Sequence, residues 1–402
     1  MSCPFDHTQL DLSGPATTTQ PSPLAGDIAA GFPAQINDRY RVVSDPHQVK
    51  QILLQPDLFT PDNALLTGID LEPATLRILA AERFSLPPVL ASASGAAHRQ
   101  VRGIVAGFFS PKKVAAQREY VESRVTQIVS ELVTEARAAG DDAATVDLAP
   151  RLADLIPPEV MERMTGVPAP ELADLKRFSR HSLELFWGWP EPDRQLELAH
   201  TAVEFHQWLR RSISEAIAAD DGNLFAQLHA AGVDVDRIRS LGYFLTIAGQ
   251  ETTALLINTA LDTALRGGQW KQYGESSAAT SAFVTDVLAG KSSVPTWRRL
   301  ASTDLEVDGV HYPAGQQLVL QLSGEQYLAD SDDSLAFGFG LHRCLGAGLA
   351  QMETEAVVQT LSRLLPDLEL AAEDPPWLHL LSFQAPVTVP VRLNLHGHGA
   401  KA

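Results

Sequence analysis

One cysteine constrains this chain more than any other residue. Cys344 closes the loop Phe337-Gly338-Phe339-Gly340-Leu341-His342-Arg343 and is followed by Leu345-Gly346-Ala347-Gly348. The run from Leu349 to Leu365 has helical apolar spacing and no proline. Cys344 is therefore expected at the start of a helix, where unpaired backbone N–H groups and the dipole favour a thiolate. Glycines around it let backbone approach a large flat partner, because no Cβ intervenes. A thiolate on an aromatic-lined loop suits axial ligation of haem iron. The other reading of a lone cysteine before a helix is a buried structural residue.

The chain has 402 residues, 45% of them hydrophobic, which is ample for a large core. Its two cysteines, Cys3 and Cys344, provide no disulfide framework, and a reducing, cytoplasmic setting fits. The Pro- and Thr-rich start lacks the pattern of a signal peptide, and no apolar run has the length of a membrane span. A net charge of −18 argues against nucleic acid or an anionic membrane as partner.

Residues 1–25 read as a loose leader and 26–402 as a single, mainly helical unit with a small, mostly N-terminal β region. Tyr40–Val43 is a strand candidate, and a helix is expected from Asp45 to Gln55. Residues 56–95 look irregular. Helical patterns cover Ala115–Ala139, Ala149–Thr165, Pro170–Phe186 and Asp193–Ala219. Trp187-Gly188-Trp189-Pro190 breaks the last two; its tryptophans suit plain packing or the roof of an apolar pocket. Short strands are expected around Leu305–Val310 and Gln317–Leu322, and a β hairpin over Leu380–Leu395, with Phe383 near a pocket rim.

Asp234–Leu265 is the longest helical stretch. Its middle, Ala248-Gly249-Gln250-Glu251-Thr252-Thr253, carries a glycine that costs about 1 kcal/mol in a helix interior, next to a carboxylate and hydroxyls. Farther upstream, His98 and Arg102 are four apart and share a helix face. A solvated basic face is the plain reading of that pair.

The pattern F-G-F-G-x-H-R-C-L-G-A-x-L-A around Cys344 resembles the haem-binding loop of the cytochrome P450 family. The resemblance extends over most of the chain. It implies a mainly α fold with small β-sheets, of P450-like architecture. It implies haem b (iron protoporphyrin IX) ligated by Cys344, with Phe337, Gly338 and Gly346 in the loop beneath it. By the same resemblance His98 and Arg102, together with Arg299 and His342, hold the haem propionates. Charge-assisted bonds of that kind are strong and directional. The A-G-x-E-T-T segment resembles the family's oxygen-activating kink. Ala248 and Gly249 would leave space for dioxygen, Thr252 would supply a hydrogen bond and Glu251 protons.

The activity so implied is a monooxygenase inserting one oxygen atom of dioxygen into a small organic substrate, natural-product scaffolds being one such class. Electrons would come from NAD(P)H through a ferredoxin and its reductase. A second reading is a haem-thiolate enzyme that is peroxide-driven or couples or rearranges its substrates. The intact Glu251-Thr252 pair disfavours it. A third is a degenerate, non-catalytic haem- or substrate-binding protein.

Two departures from the family pattern bear on that third reading. The E-x-x-R motif falls on Asp286-Val287-Leu288-Ala289, with the acid shortened and the arginine gone. The loop before the haem loop shrinks to Ser323–Asp333 and contains no arginine. Losing both arginines together avoids stranding a buried carboxylate. The segment is expected to be loose. It would be held either by Tyr327, Leu328 and Leu335 packing or by Glu325 and Asp330 capping backbone N–H groups.

Overall fold

The computed structural model describes residues 17–18, 28–372 and 374–395. Within the expected leader, only Thr17–Thr18 is described; it pairs antiparallel with Trp377–Leu378, and the rest of 1–25 lies outside the described residues. Helices dominate. Asp45 accepts the Gln48 N–H at 2.8 Å and Pro46 fills the first helical position. The helix Pro46–Leu53 therefore starts where an Asp-Pro pair dictates. Helices over Arg118–Ala139, Leu172–Trp187 and Pro192–Ala219 follow the apolar periodicity. The zone expected to be irregular holds an α-helix, Pro73–Ala81, again opened by a proline, and a 3₁₀ turn, Leu90–Ser92. No helix among the described residues is long and apolar enough to cross a membrane.

The long helix expected over Asp234–Leu265 is two helices, Val235–Ala248 and Glu251–Arg266. They meet at Gly249-Gln250, where Gln250 leaves helical geometry at φ −125°. The interruption falls on the polar segment singled out above.

The β structure departs from expectation in two ways. It is not mainly N-terminal. The largest sheet runs Tyr40–Val43, Gln317–Gln321, Thr296–Ala301, Phe59–Thr60, with the first pair parallel and the others antiparallel. Its two central strands thus come from the C-terminal half. Nor is Leu380–Leu395 a hairpin. Gln384–Pro386 pairs with Trp377–His379, whereas Pro390–Arg392 pairs with Thr145–Asp147 and Glu369–Leu370 in another sheet. Pro386 and Pro390 cannot donate to a continuous ladder. Between them the Val389 N–H turns to the Asp147 carboxylate at 2.8 Å.

Apolar packing holds the shortened segment before the cysteine loop, while the side chain of Asp330 lies outside the described residues. Glu325–Asp333 forms 3₁₀ turns, and the Gly324 N–H donates to the Ala289 carbonyl at 2.9 Å. Tyr327 and Leu335 are buried in one cluster with Ala289, Leu320 and Leu322. The Tyr327 hydroxyl donates to the Gln321 carbonyl at 2.6 Å. Leu328 is largely exposed, yet its Cδ2 lies 2.9 Å from where a Cβ on Gly290 would be, so a side chain there would force it out. Asp286 faces solvent. Ala289 makes room for an apolar plug at the position where the resemblance would place an arginine.

Candidate active site

A cavity of about 240 Å³ separates the cysteine loop from the bend between the two long helices. Phe337, Gly338, Cys344 and Gly346 form one wall; Ala248, Gly249 and Thr252 form the facing one. The loop is closed by a hydrogen bond from the Cys344 N–H to the Phe337 carbonyl at 2.9 Å. Gly338 and Gly340 sit at φ +68° and +67°, a left-handed conformation that favours glycine. The helix begins at Ala347, three residues after the cysteine.

The Cys344 thiol is exposed to the cavity yet enclosed by protein. Burial pushes its pKa up. Bonds from the Gly346 and Ala347 N–H groups and the charges of Arg102 and Arg343 pull the other way without reversing it. The lowering expected from the helix start is therefore outweighed, because enclosure in apolar walls disfavours a bare thiolate. A cation seated on the sulfur would remove that penalty.

Two arginines and a histidine gather at one end of the cavity with no carboxylate among the described residues to meet them. Arg102, Arg299 and His342 line it. Arg299 is buried, its Nη1 donates to the Arg298 carbonyl at 2.7 Å and its Nε has no protein partner; burial alone lowers its pKa to about 10. Arg102 donates to the Arg343 carbonyl at 2.6 Å. His342 binds the Ala93 carbonyl through Nε2 at 2.8 Å, leaving Nδ1 unpartnered. Burial, then the charges of Arg299, His98 and Arg102, hold the His342 pKa down at about 4 despite that bond. His98 stands behind the wall, its ring 5.0 Å from that of His342, with neither nitrogen partnered. Leaving buried donors and cations unmet is costly. The arrangement therefore fits an anionic group entering from the cavity, and the donor set fits haem: a thiol beneath, cations at the edge, glycines where a flat ring needs close approach.

At the bend, Thr252 donates from Oγ1 to the Ala248 carbonyl at 2.7 Å, and Ser293 donates to the Thr252 carbonyl at 3.0 Å. A Cβ on Gly249 would lie 2.5 Å from Met161 Cε and 2.8 Å from the Leu245 carbonyl. Glycine is required here because the thioether already fills the notch. Glu251 turns away from the cavity and is buried. Its carboxylate meets Lys176 Nζ at 3.0 Å and Arg180 Nε at 3.3 Å; both cations also bind Asp154, at 3.2 and 2.9 Å. Gln250 completes this group, accepting from Lys176 at 2.8 Å.

The comparisons agree with this geometry. No family model matches the chain. Luteothin monooxygenase of Streptomyces thioluteus is 30% identical over 333 residues, covering 76% of this chain and 78% of its own. The chain belongs to the cytochrome P450 family. Cytochrome P450-SU2 of Streptomyces griseolus is 29% identical, over 68% of this chain and 69% of its own. Among solved structures, cytochrome P450 CREJ with (4-ethylphenyl) dihydrogen phosphate matches with a TM-score of 0.82 at 27% identity, covering 90% of this chain and 93% of that one. The fold is thus mainly α with small sheets, and the chain is a P450-type oxidoreductase, a haem-thiolate monooxygenase in general terms. Its relatives imply haem as cofactor.

Four residues of this P450's site are barely marked in the sequence. Lys176 and Arg180, four apart on one helix, give a weak signal. Asp154 and Met161 carry none, because only the fold brings them to the bend. Trp187 and Phe383 both reach the cavity wall, while Trp189 packs instead against Phe32, so the broken turn does both of the things it could do.

Proposed function

We propose that this P450 monooxygenates a small, uncharged, largely apolar substrate. The carrying observation is one cavity with a thiol at one side, a threonine-bearing bend opposite, and two arginines at the edge that no carboxylate among the described residues pairs. Cys344 would ligate the iron, and His98, Arg102, Arg299 and His342 would meet the propionates, His98 by supporting His342. Bound haem supplies the oxygen-insertion chemistry.

The chain's own residues do the rest. Ala248 and Gly249 keep the bend free of side-chain bulk. The Thr252 hydroxyl, parked on the Ala248 carbonyl, can turn to hydrogen-bond oxygen. Glu251 stands one residue away, ion-paired with Lys176 and Arg180, and would relay protons through the bend. Among the described residues, no carboxylate and no lysine lines the cavity. Away from the arginine end, Ser240 donates to the Pro87 carbonyl at 2.6 Å, and the Tyr243 hydroxyl pairs with Ser182 at 2.6 Å. With the arginines given to the propionates, a charged substrate would find no counter-charge to offset its desolvation. Electrons are taken to come from NAD(P)H through a ferredoxin and its reductase, in a cytoplasmic setting. Lys112 and Arg343 are exposed, whereas Arg118 is tied to Glu355 at 2.9 Å.

Thr252→Ala tests the reading. Haem content and substrate affinity should survive, since the hydroxyl is needed only after dioxygen binds. Product formed per NAD(P)H consumed should fall by at least about tenfold. An unchanged yield would remove Thr252 from the mechanism.

A further inference from the structure

A second, smaller cavity of about 60 Å³ lies beside the first. It is bounded by the helix Ile156–Thr165, the long helix Pro192–Ala219 and the outer side of Val235–Ala248. Exposed Glu162 and Pro168 stand at its rim, so it reaches the surface there. Two residues, Met161 and Leu245, line both cavities. Met161 is the thin part of that shared wall. Its Cε and Sδ lie 2.5 and 2.9 Å from the point where a Gly249 Cβ would stand. The thioether tip therefore fills the notch of the bend that faces the cysteine.

We propose that this smaller cavity is an antechamber for an apolar diatomic gas, dioxygen in the working enzyme. Met161 is the partition through which the gas passes to the bend. The reading rests on the haem-thiolate assignment above and adds a route to it. Three arguments carry it. The cavity has about a quarter of the larger one's free volume, about 60 against 240 Å³, which suits a gas better than a bulky organic substrate. Its wall is mostly apolar (Val167, Leu175, Leu209 and Phe225 among others), which favours a gas over water. And the partition is a methionine, unbranched and with three rotatable bonds, whose tip can swing aside by a rotamer hop without moving backbone. Such a side entrance matters because a bound substrate would fill the larger cavity and obstruct the direct path.

Carbon monoxide is the probe. In the reduced, haem-loaded protein, laser photolysis of the carbonyl complex yields the bimolecular rebinding rate. Met161→Ala should raise that rate several-fold by removing the partition. Thr246→Phe and Val167→Phe fill only the smaller cavity, since neither residue lines the larger one. Each should slow rebinding several-fold. Two plugs from different elements guard against one failing to fold. Crystals of the wild-type protein under xenon should show a xenon atom between Val167, Leu209 and Leu245, a result that needs no turnover. Rebinding that ignores the folded plugs, or a cavity that takes no xenon, would overturn the antechamber. Failure of the wild-type protein to form a thiolate-type carbonyl spectrum would instead strike the haem-thiolate assignment, with the xenon result still deciding the cavity.

Discussion

Replacing Lys176 by methionine should destabilise the protein by about 3–5 kcal/mol, the usual effect of breaking a buried ion-pair group from one side. Lys176 and Arg180 face Asp154 and Glu251, two charges against two. The side chains of Lys176, Asp154 and Glu251 are 5%, 6% and 1% exposed, so water cannot replace a missing partner. Methionine keeps the length and removes the charge. It leaves two carboxylates sharing one guanidinium, and the Gln250 amide oxygen loses its donor.

The pH response has a definite sign. Burial pushes the Asp154 carboxyl up, but Arg180 and Lys176 more than offset it, and its pKa ends below the ordinary carboxylate value. A group with a depressed folded pKa stabilises above its unfolded value and loses that contribution as pH falls through the folded one. The wild-type protein should therefore weaken on acidification, and Lys176→Met should blunt the effect. Arg177→Met is the control: its pairs with Asp174 and Glu204 are on the surface, and its loss should cost under about 1 kcal/mol. Chemical unfolding of both variants decides the matter. Equal midpoints would mean the buried group adds nothing beyond a surface pair.

Glu353 should behave in the opposite way. It is fully buried in the helix Ala347–Leu364, and among the described residues neither carboxyl oxygen has a hydrogen-bond partner. Burial raises its pKa well above the ordinary carboxylate value, so the native state holds the proton to higher pH than the unfolded chain does. A folded pKa above the unfolded one gives stability that is complete below the unfolded value and is lost as pH rises through the folded one. An unmet buried polar group costs about 1–3 kcal/mol. Glu353→Met should recover an amount of that order and flatten the stability-versus-pH curve above the unfolded pKa. Glu353→Gln should flatten the curve while leaving an unmet polar group in place, so it should stabilise less. If Glu353→Met is less stable than wild type at neutral pH, the carboxyl has a partner that outweighs its burial.

Much of this was legible from residues because the informative signals are local. The loop around Cys344 and the A-G-Q-E-T-T segment each carry their geometry in consecutive positions, and both reach one cavity. Asp45-Pro46 announced a helix start for the same reason. What escaped was set by distance. Nothing near Glu251 in sequence says that Lys176, Arg180 and Asp154 will enclose it. Nothing near Gly249 says that Met161 will occupy its missing side chain. The strands misread near Leu380–Leu395 failed similarly: alternation marks a strand but not its partner, and Thr145–Asp147 lies far upstream. The lost E-x-x-R was visible as an absence. Its replacement, Tyr327 and Leu335 packed over Ala289, was visible only as one of two alternatives.

The central claim is that Cys344 binds haem iron as a thiolate in a cavity with Thr252 opposite. The most direct test is the spectrum of the reduced protein with carbon monoxide, for wild type and Cys344→Ser. The wild-type complex should show the strongly red-shifted Soret band characteristic of thiolate ligation, and the serine variant should lose it. Haem retained in Cys344→Ser with the same red-shifted band would contradict the account, because another residue would then be the ligand.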